Sequence, residues 1–242
     1  KRLLKKEVQM KANVSSQYIS ALLLIASKLE NGLTLHLDGK ITSAPYIRMT
    51  LSLLNQIGVE TSFEAQTIRV KPNLENEPKI VNVESDWSSA SYFYSIIALS
   101  PIGTKVCLST YKKNSLQGDS VLAEIYKDLG VETFFDNNKI HLRRFQIPIP
   151  KSLILNLNNS PDIAQTIAVT CFGLGIGSHL TGLHTLKIKE TDRLLTLKNE
   201  LEKLGATVVV TDFSLTIQSY SPPLEGCPKG GVALKPYHIL SF

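Results

Sequence analysis

Ser15-Ser16-Gln17-Tyr18-Ile19-Ser20-Ala21-Leu22-Leu23-Leu24-Ile25-Ala26 decides the fold, because the chain carries this stretch three times in outline. Two serines and a glutamine open it, and an almost unbroken apolar run follows. Hydroxyl and amide side chains at the start are the chemistry of a helix N-terminus. A run apolar nearly all round marks a fully buried helix. Ser88-Ser89-Ala90-Ser91 enters residues 92–99 in the same way, and Ser160-Pro161-Asp162 enters residues 163–172. Ser15, Ser88 and Pro161 stand 73 positions apart in turn.

A second marker runs in phase with the first. Ile57-Gly58-Val59-Glu60, Leu129-Gly130-Val131-Glu132 and Leu204-Gly205-Ala206-Thr207 each put glycine where a helix closes and a strand begins, with the glycines 72 and 75 positions apart. Two markers in register define a repeated unit of about 73 residues. Each copy reads as strand, helix, strand, helix and hairpin. The first strands are residues 81–83 and 153–157, and the strands after the first helix are 33–37 and 105–109. The second helix, such as residues 192–204, alternates charged and apolar faces. The hairpins pair 59–63 with 67–71, 131–135 with 139–143 and 207–211 with 214–218, with Asp136-Asn137-Asn138 and Asp212 as turn residues. The expected class is α/β (α+β), made of repeated β-α-β-α-β-β units. Their first helices are buried inside outer sheets, and the helix N-termini emerge together at one end.

Composition allows one large or two medium domains, with 242 residues, 43% hydrophobic and 19% charged. No apolar run approaches the roughly 20 residues of a membrane span. After Lys1-Arg2-Leu3-Leu4-Lys5-Lys6 no apolar segment is long enough for a signal peptide. Cys107, Cys171 and Cys227 show no paired spacing; Cys107 and Cys171 lie in apolar runs and read as buried thiols of a reducing cytoplasm. A net charge of +5 suits anionic ligands. The cations are scattered rather than striped with aromatics, which argues against nucleic acid. The five histidines form no ligand cluster, so no metal site is expected.

Free N–H groups and a positive dipole end suit a helix N-terminus to anions. Ser15, Ser16 and Gln17 read either as ligands of such an anion or as a cap, whereas Ser88-Ser89 reads as a cap. Asp162 either offsets the dipole of the third helix or serves as a general base. Lys187, Lys189, Glu190, Thr191, Asp192 and Arg193 crowd one further helix start. Thr191 or Asp192 accounts for the cap, but cations at an N-terminus oppose the dipole, which calls for a compensating anionic ligand.

Taken in order, Ser15-Ser16-Gln17, Ser43 with Pro45-Tyr46, Ser88-Ser89-Ala90-Ser91-Tyr92-Phe93, Asn114-Ser115-Leu116-Gln117-Gly118-Asp119, Pro161-Asp162 and Lys189-Glu190-Thr191-Asp192-Arg193 resemble the 5-enolpyruvylshikimate-3-phosphate synthase family. The resemblance runs from about residue 14 to about residue 218. It implies two domains of three β-α-β-α-β-β copies each, closing over a cleft. Family enzymes transfer the enolpyruvyl group of phosphoenolpyruvate to the 5-hydroxyl of shikimate 3-phosphate, without metal or organic cofactor. By resemblance Ser15, Ser16 and Ser43 hold the 3-phosphate, and Gln17 and Tyr46 contact the shikimate side. Asp162 binds the shikimate hydroxyls and acts as base. Lys189 lies near both substrates, Glu190 transfers a proton and Arg193 binds phosphoenolpyruvate.

Three units stand here where the family has six, so the resemblance implies an incomplete chain. Residues 1–84 correspond to the last repeat of the first domain and 85–242 to the first two repeats of the second. Such a chain is expected to be inactive alone, and the enzyme to be a cytoplasmic monomer. Thr185 and Lys187 stand where some relatives have Asn and Arg, and Lys187 keeps the charge but not the bidentate geometry. His238 falls near the family's Asp-His-Arg region, without the arginine. Two alternatives are the sister enzyme that transfers enolpyruvate to a UDP-amino sugar, UDP-N-acetylglucosamine, and a non-catalytic repeat module that binds a partner protein through its outer sheets.

Overall fold

The computed structural model describes residues 6–39, 41, 44–73, 78–189 and 191–219. Two compact units make up the chain: Lys1–Val83 with Leu116–Gly118, and Glu84–Ser115 with Asp119–Phe242. Each has its own apolar core.

The first unit contains β1 (Glu7–Lys11), α1 (Ser16–Ala26), β2 (Leu33–Asp38), α2 (Ala44–Gln56), β3 (Thr61–Glu64) and β4 (Thr67–Val70). Its sheet runs β1-β2-β4-β3, with β1 parallel to β2 and β4 antiparallel to both its neighbours. β2 and β3 are therefore parallel to each other, and α1 and α2 are both crossover helices that run against them. Their N-termini share the end of the sheet where the parallel strands finish. Ile19, Leu23 and Ala26 of α1 and Ile47, Leu51 and Leu54 of α2 cover the sheet through Leu35 and Ile68.

The second unit holds two further copies. The first comprises α3 (Trp87–Leu99), β5 (Lys105–Ser109), the 3-10 turn Gly118–Val121 running into the short α4 (Leu122–Ile125), β6 (Val131–Asp136) and β7 (Lys139–Arg144). The second comprises β8 (Ser152–Asn156), the 3-10 turn Pro161–Ile163 running into α5 (Ala164–Gly173), β9 (Gly177–Thr181), the 3-10 turn His184–Ile188, α6 (Arg193–Lys203), β10 (Val208–Val210) and β11 (Ser214–Ile217). Sheet β10-β11-β9-β8 repeats the order and sense of the first unit, while β5-β7-β6 has three strands. Gly58, Gly130 and Gly205 all have positive φ (90°, 79° and 93°), the left-handed closure expected of them.

Three expectations need correction. Residues 81–83 form no strand, and Val83 is 80% exposed. Just past them Ser85 donates its N–H to Thr110 O and its hydroxyl to Ser109 O, turning the chain into α3 before a ladder with β5 can form. β1, in contrast, is a first strand for which no bounds were expected; its signal is the alternation of Val8 and Met10 between Glu7, Gln9 and Lys11. The first helices are not buried on all sides. Tyr18, Leu24 and Ile25 of α1 and Tyr92, Phe93 and Ile96 of α3 are exposed, because each helix is covered by its neighbours along one side and open on the other. Finally, Cys107 is exposed on the outer side of β5, at a position where the strand's alternation turns side chains away from the core, and of the two cysteines among the described residues only Cys171 is buried. Among the described residues no helix is long and apolar enough to cross a membrane.

Candidate active site at paired helix starts

The parallel crossovers explain why residues about 30 apart in sequence meet. In each repeat the first helix and the second begin at the same end of the sheet, so two helix starts lie side by side. Caps at Ser15, Asp86 and Ser160 put the three repeats in structural register. The second residue after each cap is Gln17, Ser88 and Asp162. The three resulting seats share one backbone plan and differ in chemistry.

In the first seat Ser15 caps α1, its hydroxyl accepting the Gln17 N–H at 3.3 Å. Ser16 is buried and Gln17 exposed at the same start. α2 lies alongside, tied to α1 by the hydroxyls of Ser20 and Thr50 at 2.9 Å. Thr50 also donates to Tyr46 O at 3.0 Å, so Tyr46 stands one turn upstream of this tie, level with Ser16. Ser15, Ser16, Gln17 and Tyr46 thus belong to one end of one unit. Ser43 lies outside the described residues.

The second seat is closed. Ser88 does not cap α3; Asp86 does, accepting the N–H groups of Ser88 and Ser89. The Ser88 hydroxyl instead donates to the fully buried carboxylate of Asp119, 31 residues on. A second carboxylate holds the same loop. Glu84 accepts the Trp87 indole N–H and the Lys112 N–H on one oxygen, both at 2.9 Å, and the Ser115 hydroxyl on the other at 2.8 Å. Two residues from sequence blocks far apart in the chain, Ser88 and Asp119, are therefore bonded to each other. Their spacing of 31 was a readable signal, since Asp162 and Arg193 share it.

The third seat is charged and partly open. Asp162, in the 3-10 turn before α5, faces the start of α6. Its Oδ1 lies 3.4 Å from Lys189 Nζ and 3.3 Å from Arg193 Nη1. Lys189 is largely buried, whereas Asp162 and Arg193 keep about 30% of their side-chain surface exposed (30% and 29%). Asp192 caps α6, accepting the N–H groups of Leu194 and Leu195 at 3.1 and 3.0 Å. This accounts for part of the cation excess at that helix start without any ligand. Lys187 is also paired within the protein, 2.6 Å from Asp212 on the β10–β11 turn, and that carboxylate raises its pKa. Thr185 is buried with its hydroxyl lacking a hydrogen-bond partner. Glu190 and His238 lie outside the described residues. Among the described residues no group of three or more His, Cys, Asp or Glu side chains is placed to hold a metal ion.

Comparison with known proteins follows the same outline. The sequence profile of EPSP synthase (3-phosphoshikimate 1-carboxyvinyltransferase) matches residues 1–229. A Bacteroides fragilis protein named 3-phosphoshikimate 1-carboxyvinyltransferase is 46% identical over 200 residues, 82% of this chain and 48% of that protein. One of the same name from Methanosphaera stadtmanae is 30% identical over 230 residues, 93% of this chain and 51% of its own length. The chain spans about half the length of the curated relatives it matches. Among solved structures, EPSP synthase from Acinetobacter baumannii superposes with a TM-score of 0.62 at 20% identity, covering 88% of this chain and 49% of that one. The enolpyruvyl transferase NikO from Streptomyces tendae gives 0.56 at 13% identity, over 87% of this chain and 50% of its own. Fold, repeat and sequence agree, and the chain belongs to the EPSP synthase family.

Proposed function

We propose that the protein to which these residues belong transfers the enolpyruvyl group of phosphoenolpyruvate to the 5-hydroxyl of shikimate 3-phosphate and releases phosphate. The third seat carries the reading: one carboxylate oxygen held by Lys189 and Arg193 at the mouth of paired helix starts. Both contacts fall on Oδ1, which leaves Oδ2 of Asp162 as the oxygen for a ligand hydroxyl. In this reading Asp162 orients the shikimate hydroxyls and takes the 5-hydroxyl proton as that oxygen attacks carbon 2 of phosphoenolpyruvate. A proton delivered to the methylene carbon balances the one removed, and Glu190, next to Lys189 in sequence, is the group assigned to it. Loss of one methyl proton with departure of phosphate then restores the double bond. Lys189 and Arg193 hold the carboxylate and phosphate of phosphoenolpyruvate, cations set where negative charge must be kept in place. Ser15, Ser16 and Ser43 take the 3-phosphate at the N-terminus of α1, with Gln17 and Tyr46 on the shikimate side.

In the same reading residues 1–84 are the last repeat of a first domain and residues 85–242 the first two repeats of a second. The division into compact units between Val83 and Glu84 supports this. The exposed apolar faces of α1 and α3 are then where the remaining repeats pack. The reaction calls for no cofactor, and a monomeric cytoplasmic enzyme suits it.

The test is a phosphate-release assay on the complete protein with phosphoenolpyruvate and either shikimate 3-phosphate or UDP-N-acetylglucosamine. Turnover is expected with the first acceptor; release with the UDP-sugar alone would overturn the proposal. Asp162→Ala is expected to lower kcat by about 100-fold or more while shikimate 3-phosphate still binds. Lys189→Met is expected to weaken phosphoenolpyruvate binding, and unchanged affinity by calorimetric titration counts against its role. The 242-residue chain alone is expected to show no turnover.

A further inference from the structure

Three residues beyond the second residue of each seat, the first helix carries another polar side chain: Ser20, Ser91 and Gln165, each the fifth residue after its cap. The first two are spoken for inside the protein. Ser20 shares a hydrogen bond with Thr50 at 2.9 Å, and Ser91 donates to Ser88 O at 2.6 Å. The third is not: the side-chain carbonyl oxygen of Gln165 is buried without a hydrogen-bond partner. A buried acceptor left unmatched is rare in native proteins and bears the full cost of its desolvation, so it needs a reason.

The location supplies one. Gln165 lies three residues after Asp162 where the 3-10 turn passes into α5, and residues three apart share a helix face. That face continues at Val169, which is exposed, and away from Ile163, Ile167 and Cys171, which are fully buried. Thr185 belongs to the 3-10 turn His184–Ile188, which packs against the turn carrying Asp162. Its buried hydroxyl also lacks a hydrogen-bond partner. Two unmatched oxygen atoms therefore flank the seat whose centre is Asp162.

We infer that Gln165 is a substrate-binding residue of the third seat, its side-chain carbonyl accepting a hydrogen bond from a hydroxyl of the polyol that Asp162 holds. This rests on the function proposed above and deepens it: Asp162 alone accepts from one hydroxyl, whereas Asp162 with Gln165 reads two neighbouring hydroxyls. Phosphoenolpyruvate has no hydroxyl to donate, so the contact belongs to the acceptor substrate.

Steady-state kinetics of the complete enzyme test it, with Gln165→Leu, which removes the acceptor at similar volume, and Gln165→Glu, which keeps one. Gln165→Leu is expected to raise KM for shikimate 3-phosphate about 10-fold, the loss of one hydrogen bond, with KM for phosphoenolpyruvate within about 2-fold of the parent. Its melting temperature is expected to hold or rise, since an unmatched buried acceptor has gone. Gln165→Glu is expected to keep KM for shikimate 3-phosphate within about 3-fold. An unchanged KM in Gln165→Leu, or a fall in melting temperature with both KM values rising together, overturns the inference. A parent enzyme inactive with shikimate 3-phosphate defeats the proposed function instead, so the two failures are distinguishable.

Discussion

Gly130 and Gly205 close equivalent helices with the same left-handed backbone, yet their surroundings differ. A Cβ on Gly130 would lie 1.5 Å from Arg144 Nη1, the atom that donates to Leu129 O at 2.9 Å, whereas a Cβ on Gly205 meets nothing within 4 Å. Gly205→Ala should cost about 1 kcal/mol of backbone strain, and Gly130→Ala about 2–4 kcal/mol because the arginine must also move. Chemical denaturation of the two variants checks the order. A second prediction at this scale concerns alkali. Burial pushes the Cys171 thiol up to about 12 from 9.0, and it also raises Tyr94 and Tyr126 well above the usual tyrosine range. Above pH 9 the unfolded thiol ionises while the folded one keeps its proton. The unfolded state then binds fewer protons, and stability falls with rising pH by about 1.4 kcal/mol per unit per group. The two tyrosines join from about pH 10. Thermal melts between pH 8 and 10.5 should show this decline, and Cys171→Ala should flatten its first part.

At the scale of elements, α3 and α5 pack against each other through chemistry as well as shape. The Thr170 hydroxyl donates to Thr166 O at 2.7 Å, and it shares hydrogen bonds with the Ser95 hydroxyl at 2.8 Å and with the buried Tyr126 hydroxyl at 2.9 Å. A Cβ on Gly173 would come 2.7 Å from Leu99 Cδ2. Thr170→Val keeps the volume and removes a hydrogen-bond partner of the buried Tyr126 hydroxyl, so a loss of about 1–3 kcal/mol is expected by urea titration. Such pairings also show what sequence could and could not reveal. The hairpins and helix ends were legible because glycine with positive φ and Asp/Asn turns act locally. Which side of a first helix faces solvent was not, because α1 and α3 are apolar all round and only packing chooses the face. The absent strand at residues 81–83 is similar: the alternation of Val81 and Val83 is real, and the bonds from Ser85 to Ser109 and Thr110 override it. Among the site residues, Lys189 and Arg193 were readable as a charged helix start, and Asp162 as an acid in the first turn of another helix. That one carboxylate serves both cations needed the crossover geometry, as did the pairing of Lys187 with Asp212.

For the whole molecule, separate cores carry a consequence for unfolding. The first holds Ile19, Leu35, Ile47 and Ile68; the second holds Trp87, Tyr94, Tyr126, Ile167 and Leu215. Cooperativity extends as far as a shared core, so differential scanning calorimetry of the 242-residue chain should resolve two transitions. Trp87→Ala, which removes the largest fully buried side chain, should shift only one of them, by the equivalent of about 3–5 kcal/mol. A single transition moved as one by that substitution would show that the units unfold together.

The repeat also gives the molecule a comparison drawn from within itself. Ser88 with Asp119 and Asp162 with Arg193 occupy the same backbone plan, one pair sealed and the other partly exposed. The sealed pair is thus a natural blueprint for silencing the open one. Asp162→Ser combined with Arg193→Asp would rebuild it in the third repeat, giving a folded decoy that has lost its chemistry. Ordinary loss-of-function variants confound unfolding with inactivity; a variant copied from a neighbouring repeat separates the two.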